Sequence, residues 1–279
     1  MCLNDTKAVI IHFHVYLFYI CKNNGYMKKY LLLTFFLISL SSFAQKDTLP
    51  SEYQINGNIG VTNNGISIIP TFSLKAPAFN TSFSFSKGGK FSIDPDVRLT
   101  FDGTKGGAML WFRYKLVDDK KFHLTIGAHP AYNFALRSVS ENGKTWNISQ
   151  ARRFWATELA PNYTFNDHFT IGLYYLNGHG LQEDGPKMTH FVTFSPSFMN
   201  LSLGGNYIFN LNPQVYYLQV DKEDGFYLSG SAIIANKKSP ISLMYTYNKE
   251  IHTNITGSMN FDWNVTLMYG INSTFKRTK

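Results

Sequence analysis

Charged side chains recur at every second position in several stretches of this sequence, and they are the residues best placed to do chemistry. Asp94, Asp96 and Arg98 alternate with apolar neighbours, as do Arg113 and Lys115, while His129 and Arg137, and Arg152 and Glu158, fall at even spacings that keep each pair on one face. Charges of both signs on one face of successive extended segments can act in two ways. Facing a water-filled interior, they set a transverse field that sorts ions and solutes. Paired across neighbouring segments, they plug a narrow interior as a structural network. Spacing alone leaves both open.

Nucleophilic catalysis is the other chemistry to weigh. A serine activated by a histidine is the minimum arrangement, and the candidates are His123, His129, His168, His179 and His190 with Ser138, Ser140 and Ser195. No G-x-S-x-G elbow frames any of them, and His190 and Ser195 have opposite parity, which puts them on opposite faces of an extended segment. Paired metal ligands of the H-x-x-x-H kind are absent. The glycine pairs lack the strand–loop–helix setting of a phosphate cradle. No cofactor is expected.

The elements that must position these residues are strands. Period-two alternation marks a strand with a different solvent on each face. It is clearest in WNVTLMYGINSTF, where Trp263, Val265, Leu267, Tyr269, Ile271 and Phe275 oppose Asn264, Thr266, Gly270, Asn272 and Thr274. Residues 121–137 and 91–101 repeat it, with similar runs at 65–74, 81–86, 108–116, 169–176, 201–211 and 241–249. Gly88-Gly89 is a two-residue hairpin signal, and Asp118-Asp119 and Asn166-Asp167 also mark tight connections. DGTKGG (102–107), SVSENGK (138–144) and GHGLQEDGPK (178–187) read as longer polar links. Short and long connections thus alternate, as they do in antiparallel barrels that cross a membrane. About 20 residues per strand and turn gives about 12 strands, within a range of about 10–14.

Many runs reach the length that a tilted strand needs to cross hydrocarbon. A soluble barrel is the alternative, but a dry core would reject these mid-strand charges. The pairs Trp111-Phe112, Phe154-Trp155, Tyr174-Tyr175 and Tyr216-Tyr217 suit aromatic girdles at the two interfaces. Against closure stand Pro70, Pro95, Pro130, Pro161 and Pro196, each removing a ladder donor from an apparent strand.

Composition agrees with this class. The 279 residues are 44% hydrophobic and 16% aromatic but only 16% charged, well below the usual quarter. Residues 27–44 read as a cleaved signal peptide, with Lys28-Lys29, an apolar run from Leu31 to Leu40, and Ser42-Phe43-Ala44 before Gln45. Residues 1–26 look like an over-extended start, and 45–279 form one barrel domain. Lys7, Lys22, Lys28 and Lys29 against Asp5 lie in the first 44 residues, so the formal +8 falls to +5 without them. The remaining cations form no cluster, which argues against nucleic acid as a partner. Both cysteines, Cys2 and Cys21, precede Gln45.

The leader ending SSFA, the hairpin FSFSKGGKFSIDPDVRLTFDG and the alternating last strand together resemble outer-membrane β-barrel proteins of the Bacteroidota. The resemblance implies outer-membrane lipid around the barrel and a porin-like passive channel for small hydrophilic solutes or ions. It also implies that Phe275 is part of the signal read by the barrel-insertion machinery, although Lys276-Arg277-Thr278-Lys279 follow it. A structural or adhesive barrel with a plugged lumen and a lipid-modifying hydrolase are the alternatives. Mass spectrometry of the exported protein is expected to give a chain beginning at Gln45; residues 1–26 still attached would contradict this reading.

Overall fold

The structure, a computed structural model, describes residues 52–67, 73–183 and 185–276. The leader, residues 1–26 and Pro70 lie outside the described residues. The described residues form twelve strands: β1 Glu52–Thr62, β2 Ala78–Lys87, β3 Phe91–Thr100, β4 Gly106–Asp118, β5 Phe122–Glu141, β6 Lys144–Asn166, β7 Phe169–Gly180, β8 Met188–Gly204, β9 Tyr207–Val220, β10 Glu223–Asn236, β11 Ile241–Thr253 and β12 Phe261–Lys276. Each pairs antiparallel with its neighbours in sequence, and β1 closes the barrel on β12 from Glu52↔Lys276 to Thr62↔Thr266. The expected all-β, closed, twelve-stranded architecture is what forms.

Local chemistry explains where the strands turn. Gly88 and Gly89 adopt φ of 62° and 74° between β2 and β3, a left-handed conformation that costs glycine nothing. One end of the barrel carries the links 88–90, 119–121, 167–168, 205–206 and 237–240, and the other carries 63–77, 101–105, 181–187 and 254–260. In the link 101–105, hydrogen bonds from the Thr100 hydroxyl (2.6 Å) and from the Thr104 amide and hydroxyl (3.0 and 2.9 Å) converge on Asp102 Oδ1. They hold its carboxyl down at about 2.

Three expected elements differ. Of the run 65–74, which alternates like a strand, the described residues 65–67 and 73–74 lie outside the strands, where Asn264 Oδ1 takes the amides of Asn64 (3.2 Å) and Gly65 (3.1 Å) out of any ladder. The run 201–211 spans a turn rather than one strand, since β8 ends at Gly204 and β9 starts at Tyr207. Residues 138–144 form no polar loop. They are the tip of a hairpin whose turn is Asn142-Gly143, with φ of 50° and 75°, the primed turn that matches strand twist.

The outward face of the barrel is apolar. Ile59, Val97, Leu110, Ile126, Leu159, Leu173, Val192, Val215, Leu243 and Leu267 are all exposed. Toward the short-turn end lie exposed Phe91, Tyr114, Phe122, Tyr163 and Tyr207, and toward the other end Phe79, Tyr132, Trp155, Phe226 and Trp263. An aliphatic band between two aromatic girdles is the surface of a barrel that crosses a bilayer. The adjacent aromatic pairs are not girdle pairs as expected. Period two splits them, so that Phe112, Trp155, Tyr175 and Tyr217 face outward while Trp111, Tyr174 and Tyr216 face the lumen.

The prolines are accommodated by local gaps in pairing. Pro95 falls between Ser82↔Asp96 and Phe85↔Ile93 of β2–β3, and Pro130 between Met109↔Ala131 and Phe112↔Ala128 of β4–β5. Pro161 falls between Leu159↔Tyr175 and Asn162↔Gly172 of β6–β7, and Pro196 between Phe194↔Val215 and Phe198↔Leu211 of β8–β9. Each missing donor coincides with a position where one neighbour is not paired. Closure therefore survives them.

Leu159 sits outward near the middle of the membrane-crossing part of β6, opposite Ile126 and Tyr175. Leu159→Arg is expected to destabilise the barrel by about 2–4 kcal/mol, the cost of a cation at the lipid-facing midplane. Urea unfolding in lipid vesicles measures it, and an unchanged unfolding free energy would contradict a lipid-facing belt.

Candidate functional site

The lumen is where the alternation delivers the polar residues, and its two sides are built differently. On the β3–β7 side, Arg113 of β4, Gly127 of β5 and Glu158 of β6 stand in one cross-strand row. Arg113 reaches over Gly127 to grip Glu158, with Nε–Oε1 at 2.6 Å and Nη2–Oε2 at 3.3 Å. A Cβ on Gly127 would lie 2.6 Å from Glu158 Oε1, so glycine is what opens this path. The third guanidinium nitrogen, Nη1, donates to Asp94 Oδ2 at 2.7 Å. Tyr174 adds a hydroxyl donor to Glu158 Oε2 at 2.8 Å, and Ser92 one to Asp94 at 3.2 Å. One arginine thus ties three strands, using the planar fork that suits carboxylates.

Trp111 completes this wall. The Arg113 guanidinium carbon lies 4.2 Å from its ring centroid, and the His129 ring centroid lies 3.7 Å from it. His129, expected among the lumen charges, is buried against the indole, and neither ring nitrogen has a hydrogen-bond partner among the described residues. Beyond it, Phe191 lies tilted against Tyr216 with centroids 5.2 Å apart, Tyr216 stacks on Tyr227 at 4.7 Å, and Leu176 and Leu218 fill around them. The Tyr216 hydroxyl reaches across to Asn248 at 2.8 Å. This side is filled.

On the β1–β3 and β9–β12 side a cavity of about 280 Å³ remains. Its wall sets amides and hydroxyls, Asn80, Asn212, Gln214, Asn248 and Asn264 with Thr62, Ser229, Ser231, Thr246 and Thr266, beside the apolar residues Ala78, Phe79 and Met244. Arg98 is the one charged side chain among its described lining residues, and its Nε lies 3.3 Å from Asp96 Oδ1. Ile66 and Leu74 enter from the two described arms of the β1–β2 link. Those arms are held by Asn264, by Leu74 N to Gly65 O at 3.0 Å and by Lys105 Nζ to Leu74 O at 3.0 Å. The Thr62 hydroxyl also donates to Asn264.

The remaining charged candidates do not join either site. Lys115 pairs with Asp118 at 3.2 Å near the short-turn end, where His123 also meets Asp118 at 2.7 Å. Arg137 and Arg152 lie on the long β5–β6 hairpin. Phe275 faces outward near the end of β12, opposite Tyr53.

The histidine–serine candidates are dispersed. The His190 ring faces outward and meets the Tyr175 hydroxyl at 2.9 Å, while Ser195 points inward to Gln214 at 3.3 Å. Ser138 bonds Asn147 and Ser140 bonds Thr145 across the hairpin. His168 Nδ1 lies 2.9 Å from the carbonyl of Met199, in the β6–β7 turn. Sequence reasoning passed over Gly127 and Tyr227, and gave Tyr174 and Tyr216 to the interfacial girdles rather than to the lumen. The tyrosines carry the same parity as Glu158-type lumen residues within their strands, so parity alone could have found them.

No family model matches the chain, and no curated protein matches it. Among solved structures, the NanC porin aligns at 10% identity over 80% of this chain and 100% of its own, with a TM-score of 0.46. The KdgM porin in complex with disordered oligogalacturonate aligns at 8% identity over 77% and 98%, with a TM-score of 0.45. An outer membrane channel from Pseudomonas putida F1 aligns at 7% identity over 82% and 100%, with a TM-score of 0.44. At these scores the likenesses carry no argument about function.

Removing Arg113 strands two carboxylates, one of which, Glu158, has a side chain only 1% exposed. Arg113→Ala is expected to destabilise the barrel by about 3–5 kcal/mol, as breaking a buried pair does. Gly127→Ala is expected to weaken it in the same direction by pushing the Glu158 carboxylate aside. Urea midpoints of the refolded protein measure both. A loss below about 1 kcal/mol for Arg113→Ala, the range of exposed pairs, would contradict the network.

Proposed function

We propose that this protein is an outer-membrane β-barrel through which small hydrophilic solutes or ions pass passively, along the β1–β3 and β9–β12 side of its lumen. The observation that carries the reading is the 280 Å³ cavity, whose wall presents a row of amides and hydroxyls between apolar residues. Such a wall replaces the hydration of a polar solute without binding it as a fixed charge would, which is what conduction requires. Arg98 tunes this path, and Asp96 offsets its charge. Asp94, Arg113 and Glu158 act on it indirectly, by holding the opposite wall in place.

The same reading assigns the rest of the chain. The leader at 27–44 directs export, as in the Bacteroidota barrels that the sequence resembles. Lipid covers the aliphatic band, and Phe275 ends the last strand as an insertion signal. A structural barrel with a closed lumen is the second reading, favoured by the aromatic fill around Tyr216 and Leu218. Hydrolysis is disfavoured by the opposite facing of His190 and Ser195.

Conductance of the purified protein in planar bilayers separates the first two readings. Discrete channels are expected, with swelling of liposomes in small neutral sugars. Thr246→Trp, which places an indole in the cavity, is expected to cut conductance several-fold, and Arg98→Glu to shift ion preference toward cations. Absence of conductance by a correctly folded barrel would sink the channel reading.

A further inference from the structure

The β5–β6 hairpin extends far past its neighbours. Ladder pairing with β4 begins at Gly106↔Phe134 and pairing with β7 ends at Phe154↔Gly180, whereas β5 and β6 pair with each other up to Glu141↔Lys144. About seven residue pairs therefore form a two-stranded ribbon roughly 23 Å long at the end bearing the longer links. Two-stranded ribbons are marginal in water by themselves.

Polarity inverts along this ribbon. On the face continuous with the lipid-facing surface, Ser138 and Asn147 bond at 2.7 Å and Ser140 and Thr145 at 2.9 Å. On the face continuous with the lumen lie Val139 and its cross-strand partner Trp146, with Ile148 beside them. Trp146 and Ile148 are exposed. Between residues 135 and 153 there are four cations, Arg137, Lys144, Arg152 and Arg153, against the single carboxylate of Glu141. Three of the four cations lie on β6.

The edge of β6 is also open in a defined way. The two-residue turn makes Glu141 and Lys144 a hydrogen-bonded pair, so antiparallel alternation leaves the amides and carbonyls of Thr145, Asn147 and Ser149 directed away from β5. Arg153, of the same parity, shows what such groups take: its carbonyl accepts from Leu181 N at 2.9 Å and its amide donates to Gln182 Oε1 at 2.7 Å. Above Arg153, β7 no longer flanks this edge.

From this we infer that the β6 edge of the ribbon is a strand-addition site for an extended, acidic polypeptide segment. The outward backbone groups supply the ladder for an added strand, Arg153 on one face and Lys144 on the other complement its carboxylates, and Trp146 and Ile148 offer apolar contact to the side chains on the Lys144 face. A second copy of this chain would bring like charges together. The ribbon face, about 10 Å by 23 Å, is far below the roughly 800 Å² per partner of a stable globular interface. A linear segment fits it.

The test uses the folded full barrel in detergent and fluorescein-labelled peptides of alternating Glu–Val and alternating Lys–Val, followed by fluorescence anisotropy. The Glu–Val peptide is expected to bind at least about tenfold more tightly than the Lys–Val one. Ser149→Pro removes one outward amide while leaving the pairing with β5 intact, and is expected to weaken binding about tenfold. Leu136→Pro, its partner on the opposite edge, is expected to change nothing. Arg153→Glu, which leaves the backbone edge whole, is expected to weaken the Glu–Val peptide alone. Equal binding of the two peptides, or binding unaffected by Ser149→Pro, would overturn the inference. So would displacement of the peptide by heparin with heparin binding insensitive to Ser149→Pro, which would point to an anionic saccharide instead.

Discussion

Closure of β1 on β12 is the constraint on which everything else rests. Inside hydrocarbon each backbone amide and carbonyl needs a partner, and a sheet meets this demand only by having no edge. Pairing along the whole of β1, from Glu52↔Lys276 to Thr62↔Thr266, removes the last edge. Closure then fixes which residues can be polar. Every second side chain meets lipid and must be apolar; the others meet one another across a lumen too narrow to hold only water.

Twelve strands leave an interior that side chains fill only in part, and this protein fills it unevenly. The Arg113 fork and the Trp111–His129 contact fill the β3–β7 wall, and Tyr216 and Tyr227 extend the filling across β9 and β10 at their ends next to the link 221–222. The opposing wall carries short amides and hydroxyls, and a cavity results. The asymmetry is made by small residues as much as by large ones: Gly127 lets a salt bridge pass over a strand, and Gly60 leaves room for the Asn80 side chain, whose Oδ1 would lie 2.6 Å from a Cβ there.

How much of this could be read from the sequence depends on the range of the interaction. Period-two alternation is local, so the strands, their number and the lipid-facing positions were legible. Gly88-Gly89 was legible because φ > 0 is a property of the residue itself. The 65–74 run misled at its described ends, 65–67 and 73–74, because its alternation is real, while the bonds that take the Asn64 and Gly65 amides out of a ladder come from Asn264, far away in the sequence. Residues 138–144 misled in the opposite sense: their polarity suggests a loop, and the Asn142-Gly143 pair inside them makes a hairpin. The charged candidates were placed on the correct face, but which of them meet is set by register. Arg113 and Glu158 are 45 positions apart and touch only because Gly127 lies between their strands. The prolines weighed against closure in the sequence, and only the pairing gaps at each one explain why they do not prevent it.

The central claim is that one side of the lumen is open to polar solutes and the other is filled. The chain offers a direct test, because both of its cysteines precede the barrel. Single cysteines at Thr246, on the cavity wall, and at Ala156, buried beside Trp111 and Leu176, can be exposed to a small water-soluble thiosulfonate in the folded state. The account predicts rapid modification at 246 and protection at 156. Equal protection at both positions would mean a lumen closed throughout, and equal modification would mean that the aromatic wall is not packed.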